Sequence, residues 1–499
     1  MVRRLAILLG LILLAGPSAA RGQELPAVEL TPEEADLAPV EVAKDVVPVA
    51  EPRRAPLSLA EVLQQAVVKH PQLEASAQET ITKKSAAHSV ETNYWGKLTL
   101  SANVLLWDSE QVLSLGGGGG GAGGQLPPPA TPYEAALAGF LTAMSTPITI
   151  RDQITTELKL TAMQPITPLY KVSLGSKASE LEVTVAEMHE ETLRDKITGD
   201  SATAYFRALQ AQSMLETTRE SVRRLEAQKE RMEVLLSGKV VSELDVKRLE
   251  LGLAAARQKV LSAETSVEMA ESYLAVTMGR PPAETVVPES VEETPLEPVT
   301  QSLEELYELA LTRRAELVEL EKRLEQSRLG EDLAEADYVP NLVAIGAYTH
   351  STGSGLSGAD TLFVGLFLDW TVWEWGRIGD DIDAAEARTA QVEYTRENVE
   401  NMLRLQVKQA YLEQKSSADV YELTKLSVGL AEDSYEMEVD RMESGVTTGA
   451  DLVGAESALT EARNNRTASY YNTIIARVAL AEAVNAELSA DTILRGVFK

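Results

Sequence analysis

One stretch of chain that nothing interrupts governs what this sequence can fold into. No proline occurs after Pro340, and nothing from Arg377 to Glu443 interrupts a helix. At ~1.5 Å per residue, an α-helix over that arm reaches on the order of 100 Å. So long a rod gains little stability from its own hydrogen bonds and needs a partner along its length. The arm after Gly445 supplies one. Leu452, Ala455, Leu459 and Ala462 recur in steps of three and four, the seam of two paired helices. The stretch therefore predicts a coiled-coil hairpin that reverses near 444–449.

The same pattern occurs once before. Between Pro168 and Pro281 there is no proline, and the outgoing arm carries Leu193, Ile197, Ala204, Ala208, Ala211 and Leu215 at helical spacing. The return arm repeats Val246, Leu249, Leu253, Ala256, Val260, Ala263 and Val267 in three-four alternation. Its reversal is expected near 237–242, at Gly238, and Gly279, Pro281 and Pro282 stop the helix. The first turn has one residue more between glycine and aspartate (Gly238 to Asp245) than the second (Gly445 to Asp451), so the two are expected to close differently.

Ahead of each hairpin the period changes to two. Strands are expected at 97–107, where Leu98, Leu100, Ala102, Val104 and Leu106 share one face, and at 153–163, where Ile154, Leu158, Leu160 and Ala162 do. Two more are expected at 341–349 and 362–372. Residues 108–152, with Gly116–Gly121 and Pro127–Pro129, read as a long loop holding at most one small helix. A helix is expected from Ser58, with Glu61 as its capping-box partner, to about Glu91. Leu57–Glu74 aligns without gaps on Gln301–Val318, matching Ser58 with Ser302, Glu61 with Glu305 and Ala66 with Ala310. Helix, strand, loop, strand and long hairpin thus occur twice, as repeats 57–282 and 301–488 joined by an acidic linker at 283–300, with a tail at 489–499.

Arg3 and Arg4, the apolar run Leu5–Ala15 and Ser18-Ala19-Ala20 compose a secretory signal peptide over residues 1–20, followed by a Pro-rich acidic leader at 21–56 expected to be disordered. The chain has no cysteine, which excludes a disulfide framework, and its formal net charge of −30 argues against nucleic acid as a partner. His70, His88, His189 and His350 are scattered without metal-ligand spacing, and the glycine run at Gly116 lacks the ending of a phosphate loop. No nucleophile and base pattern stands out. The sequence predicts no enzyme, no metal and no cofactor.

Strands oily on one face cannot stand alone with their edges open. In a membrane the β structure that satisfies its backbone is a closed barrel, apolar outward and polar inward. An eight-stranded barrel is filled by its own side chains, so a pore needs more strands than two such copies provide.

In these features the chain resembles the outer-membrane efflux proteins, the TolC-like channels. The resemblance rests on KHPQL (Lys69–Leu73), YVPNL (Tyr338–Leu342), LDWTVWEWGR (Leu368–Arg377) and the two glycine-to-aspartate turns, SGKVVSELDV (Ser237–Val246) and SGVTTGADLV (Ser444–Val453), in that duplicated order. It implies a mainly α fold with a membrane β-barrel portion: long helical hairpins forming a periplasmic barrel, and four strands per protomer in a twelve-stranded trimeric barrel held in outer-membrane lipid. It implies an exit duct for an inner-membrane pump of RND or ABC type and a periplasmic adaptor that docks at the turns around Gly238 and Gly445. Type I protein secretion is an alternative use of the same duct, and a non-conducting coiled-coil tether is a reading of a different class. The positions matching the family's acidic entrance are Asp245 and Asp451, for which a helix cap is the simpler account. The family often adds an Arg or Tyr near the second turn, where this chain has Met442 and Thr447. Trp370, Trp373 and Trp375 suit a girdle at the membrane–water interface or ordinary packing, and Tyr94 and Trp95 invite the same reading.

Overall fold

The computed structural model describes residues 56–68, 70–113, 131–145, 148–290, 293–354, 360–488, 490–496 and 498. The expected signal peptide, nearly all of the leader and much of the glycine- and proline-rich loop lie outside the described residues.

In chain order the helices are α1 (Leu59–Val68), α2 (Pro71–Glu91), α3 (Pro132–Ser145), α4 (Leu169–Ser237), α5 (Glu243–Thr277), α6 (Leu303–Arg313), α7 (Ala315–Glu335), α8 (Arg377–Glu443), α9 (Gly449–Ala483) and α10 (Ala490–Arg495). The strands are β1 (Lys97–Leu106), β2 (Gln111–Leu113), β3 (Ile148–Pro165), β4 (Asn341–Ser354) and β5 (Asp360–Asp369). The single helix expected from Ser58 to Glu91 is two. Pro71 pushes the residue before it out of the helical region, and His70 accordingly sits at φ −73°, ψ 126°. The strand expected at 362–372 ends at Asp369, which leaves Trp370 and the residues after it in the connection to α8.

The two hairpins are unequal in their arms. α4 has 69 residues and α8 has 67, whereas α5 and α9 have 35 each. The missing length of each return arm is supplied from elsewhere in the chain. α5 lies against the half of α4 near the turn, with Arg257 on Glu226 at 2.7 Å and Arg219 on Glu264 at 2.8 Å. α2 lies against the other half, with Lys83 on Glu182 at 3.0 Å and Lys84 on Glu187 at 2.8 Å. The end of α5 abuts the start of α2 so closely that a Cβ on Gly279 would stand 2.7 Å from Pro71 Cδ. The second repeat makes the same joint between α9 and α7, where Arg314 donates to the Glu482 carbonyl at 2.8 Å and Asn485 donates to the Arg313 carbonyl at 3.2 Å. Each hairpin therefore pairs one continuous rod with one composite rod.

A belt at the joints carries most of the core. Tyr205, Phe206, Ile474 and Val478 are buried against α1 and the segment 283–300, and Leu306, Val407, Leu480 and Phe498 are buried around α6. Burial of side chains of this size is worth roughly 1.5–3 kcal/mol each. Polar groups tie the linker down as well: Tyr205 donates to the Glu289 carbonyl at 3.1 Å, Tyr470 both accepts from the Thr294 amide at 3.0 Å and donates to its carbonyl at 3.2 Å, and the fully buried Arg477 donates to the Glu297 carbonyl.

The sheet is antiparallel throughout in the order β1-β3-β4-β5, and β2 continues the line of β1 along β3. Lys97 pairs with Met163, Pro165 with Val343 and Asn341 with Asp369. All four connections to helices thus leave one end of the sheet, and the long loops leave the other.

Candidate functional site

Two places in this architecture carry features that packing alone does not require: the paired turns at one end and the faces of the sheet at the other.

At the turns, α4 and α8 stop in the same way. Val240 N–H donates to the Leu235 carbonyl at 3.0 Å and Val446 N–H to the Arg441 carbonyl at 2.9 Å, the six-to-one bond of a Schellman motif. That motif needs one left-handed residue. In the second turn it is Gly445 at φ 68°, but in the first it is Lys239 at φ 60°, while Gly238 has φ −79°. Counted from the left-handed residue, both turns reach their aspartate after the same number of residues. The expected difference in closure is thereby corrected, because the glycine in the first turn stands one position before the residue that reverses the chain.

Asp245 and Asp451 occupy equivalent places. Ser242 caps α5 and Thr448 caps α9, each in a capping box with the aspartate three residues on. The Asp245 carboxylate accepts from the Ser242 hydroxyl at 2.5 Å, and Asp451 accepts from the Thr448 hydroxyl at 2.6 Å and from Thr447 at 3.2 Å. These hydroxyl bonds hold both carboxyls below the usual aspartate range. Asp245 does more. Its second oxygen accepts from the Gly449 amide at 3.2 Å, which ties the first turn to the second. The approach is tight enough that a Cβ on Gly449 would lie 2.4 Å from the Asp245 carbonyl oxygen. Met442 is buried in the apolar cluster just inside the turns, with Met232, Leu249 and Leu452.

One contact between the hairpins was not legible as a seam. The predicted buried row on α9 included Ala455, but the residue facing inward is Glu456, which is 2% exposed. Its carboxylate accepts from Arg224 at 3.0 Å and from Ser221 at 2.8 Å, both on α4, and from Thr460 at 2.8 Å. Arg463 extends the network, reaching Glu432 on α8 at 2.7 Å and Glu220 on α4 at 3.2 Å. Removing one partner of a buried pair such as Arg224 and Glu456 costs about 3–5 kcal/mol, since it strands the other charge.

The sheet has two unlike faces. Register places Leu98, Leu100, Val104, Leu158, Leu160, Leu362, Val364, Leu366 and Leu368 on one face, and these side chains are exposed. The opposite face presents Ser101, Asn103, Glu157, Lys159, Thr349 and Thr361. Trp95 lies just before β1 and Trp370, Trp373 and Trp375 just after β5, so these aromatics collect at the helical end of the sheet. Trp373 and Trp375 meet edge to face at 6.0 Å and are 74% and 89% exposed, which sets aside packing within the protomer as their role. Among the described residues no group of three or more carboxylate, histidine or cysteine ligands is placed to hold a metal ion.

Comparison with known proteins agrees with this geometry. The family described as Outer membrane efflux protein matches residues 306–486. The chain resembles the outer-membrane efflux proteins, in sequence over residues 306–486 and in fold over 85–87% of its length. VceC of Vibrio cholerae is 16% identical with a TM-score of 0.66, over 85% of this chain and 95% of that one. CmeC of Campylobacter jejuni is 14% identical with a TM-score of 0.67, over 85% of each chain. The open state of MtrE of Neisseria gonorrhoeae is 16% identical with a TM-score of 0.64, over 87% and 90%. No curated protein matches the sequence significantly. At these identities the solved structures speak for the fold alone, a mainly helical protein with a small sheet.

Proposed function

We propose that three copies of this chain form an outer-membrane exit duct, through which solutes delivered by an inner-membrane pump and a periplasmic adaptor pass to the outside. The observation that carries this reading is the sheet, with one exposed apolar face and two open edges on β1 and β5. β1 runs away from the helices and β5 runs back toward them, so β5 of one copy lies antiparallel to β1 of the next, and identical copies join head to tail until a ring closes. Two copies give eight strands and a filled interior, whereas three give twelve and a lumen. The apolar face then meets lipid, the polar face meets water, and the tryptophans stand at the periplasmic interface.

The helices support the same assembly. Met402, Leu405, Leu412, Leu423, Leu430 and Met437 form an exposed apolar stripe along α8, and Leu251, Leu261 and Met269 are exposed on α5 at the opposite flank. Neighbouring copies in a ring bring these flanks together and cover both. Passage is passive, and the pump chooses what is exported. Opening parts the rods at the turn end, where the adaptor docks at Gly238 and Gly445 and where Asp245 and Asp451 ring the entrance. Because the Glu456 network binds α4 to α9 and α8, the two hairpins of one copy move as one body, and the seam that parts is the apolar one between copies.

Purified full-length protein added to planar bilayers is expected to give discrete conductance steps, and its electrophoretic mobility is expected to change on boiling. Recovery in the soluble periplasmic fraction with mobility indifferent to heat sinks the duct.

A further inference from the structure

The polar face of the sheet holds three cations without an ion-pair partner among the described residues, Lys97, Lys159 and Arg151, and of these only Arg151 is stacked on an aromatic ring. The Arg151 guanidinium carbon lies 3.7 Å above the Trp107 ring, and the Trp107 indole N–H donates to the Thr155 hydroxyl at 3.0 Å. Thr155 shares its face with Glu157 and Lys159, so the stack stands on the polar face, near the end of the sheet away from the helices. Arg151 Nε is buried and has no hydrogen-bond partner among the described residues, and no carboxylate there comes within ion-pair distance of the guanidinium.

Asp152 follows Arg151 and Asp108 follows Trp107 in the chain, yet neither they nor Glu110 form an ion pair with the guanidinium. Residues 114–130, 146–147 and 355–359 contain no aspartate or glutamate, in a chain whose formal net charge is −30. Asp360 is taken up by Tyr348 at 2.5 Å and His350 at 2.8 Å. Glu157 stands on the same face and forms no ion pair with Arg151. A guanidinium held over an indole ring is already ordered, which lowers the entropy lost when its free edge takes an oxyanion. Arg151 lines a groove in which hydroxyl and amide side chains such as Asn103, Gln111, Thr349 and Ser351 stand beside Glu157, Lys159 and Phe363.

We propose that Arg151, ordered by Trp107, is an oxyanion-binding residue of the outer end of the duct, where three copies around the axis form a basic ring that engages carboxylate or phosphate groups of departing solutes. The inference rests on the duct reading, since it is the ring that turns the polar face into a lumen. Rings of arginine or lysine are how pores favour anions. This ring stands at the opposite end from the acidic turns, so a solute meets carboxylates first and guanidinium groups last.

Isothermal titration of the purified full-length protein in detergent with inorganic tripolyphosphate at low ionic strength tests it. The wild type is expected to bind saturably, with one anion per trimer, and Arg151→Gln is expected to weaken binding about ten-fold or more, as loss of a charge-assisted bidentate contact does. No saturable binding by the wild type overturns the site, and so does equal affinity in Arg151→Gln. Light scattering on the same samples separates the two readings: a trimer without Arg151-dependent binding removes the ring alone, whereas a monomer removes the duct and the ring with it.

Discussion

At the scale of single residues, the histidine at the break between α1 and α2 shows how a side chain acquires a role that its motif does not announce. His70 caps α2, its Nδ1 accepting from the Gln72 amide at 3.3 Å, and it is buried. Burial pushes its pKa below the ordinary histidine value of 6.5. An accepting Nδ1 must also be unprotonated. The folded state therefore binds fewer protons here than the unfolded one. The cap's stabilisation is complete above pH 6.5 and is lost as pH falls from there toward the depressed folded value. An asparagine caps without titrating, so His70→Asn should flatten the fall of melting temperature between neutral and mildly acid pH, by an amount set by a cap of about 1 kcal/mol. Parallel pH profiles for the two proteins would show that His70 is not the titrating cap. The sequence displayed the histidine and the proline after it, but burial and the accepting nitrogen depend on contacts with Gly279 and its neighbours, 209 positions away in the numbering and without local signature.

At the scale of elements, the long helices and strands were legible because a period of 3.6 or 2 repeats many times along them, whereas their ends and exceptions were not. The seam of α5 reads directly, with Val246, Leu249 and Leu253 buried as the spacing requires. The seam of α9 hides Glu456 because a charge at a buried position is recognised only when Arg224 on another helix is seen to meet it. The turns misled for a related reason: glycine marks a left-handed residue only on average, and Lys239 takes that conformation in its place. The aspartates of these turns complete the capping boxes of Ser242 and Thr448, and their proposed place at the entrance is a matter of charge. Substitution separates the two. Asp245→Asn with Asp451→Asn keeps an acceptor in each capping box and removes two negative charges per copy, while the alanine pair leaves the Ser242 and Thr448 caps but removes the reciprocal half of each box and should cost up to about 1 kcal/mol more per helix. Both pairs are expected to lower cation preference in planar bilayers. Ion selectivity unchanged in the asparagine pair would take these residues out of the entrance.

At the scale of the whole molecule, the question is which seam parts when a ring of such copies opens. The buried Glu456 network and the Asp245 to Gly449 bond both join the first hairpin to the second within one copy, whereas the apolar stripes on α8 and α5 are exposed in the protomer. A cross-link inside the copy decides between the seams. A Cβ on Gly252 of α5 would lie 3.3 Å from the Val453 Cβ of α9, a few tenths of an ångström inside the usual ~3.5–4.5 Å span of a disulfide, and the chain has no other cysteine to compete. Gly252→Cys with Val453→Cys should therefore close an oxidised bridge between the two hairpins. If they travel as one body, export by the oxidised variant in cells should match that of the reduced protein. Export abolished by oxidation and restored by reductant would mean that the hairpins of a single copy must separate, and that the Glu456 network breaks on opening.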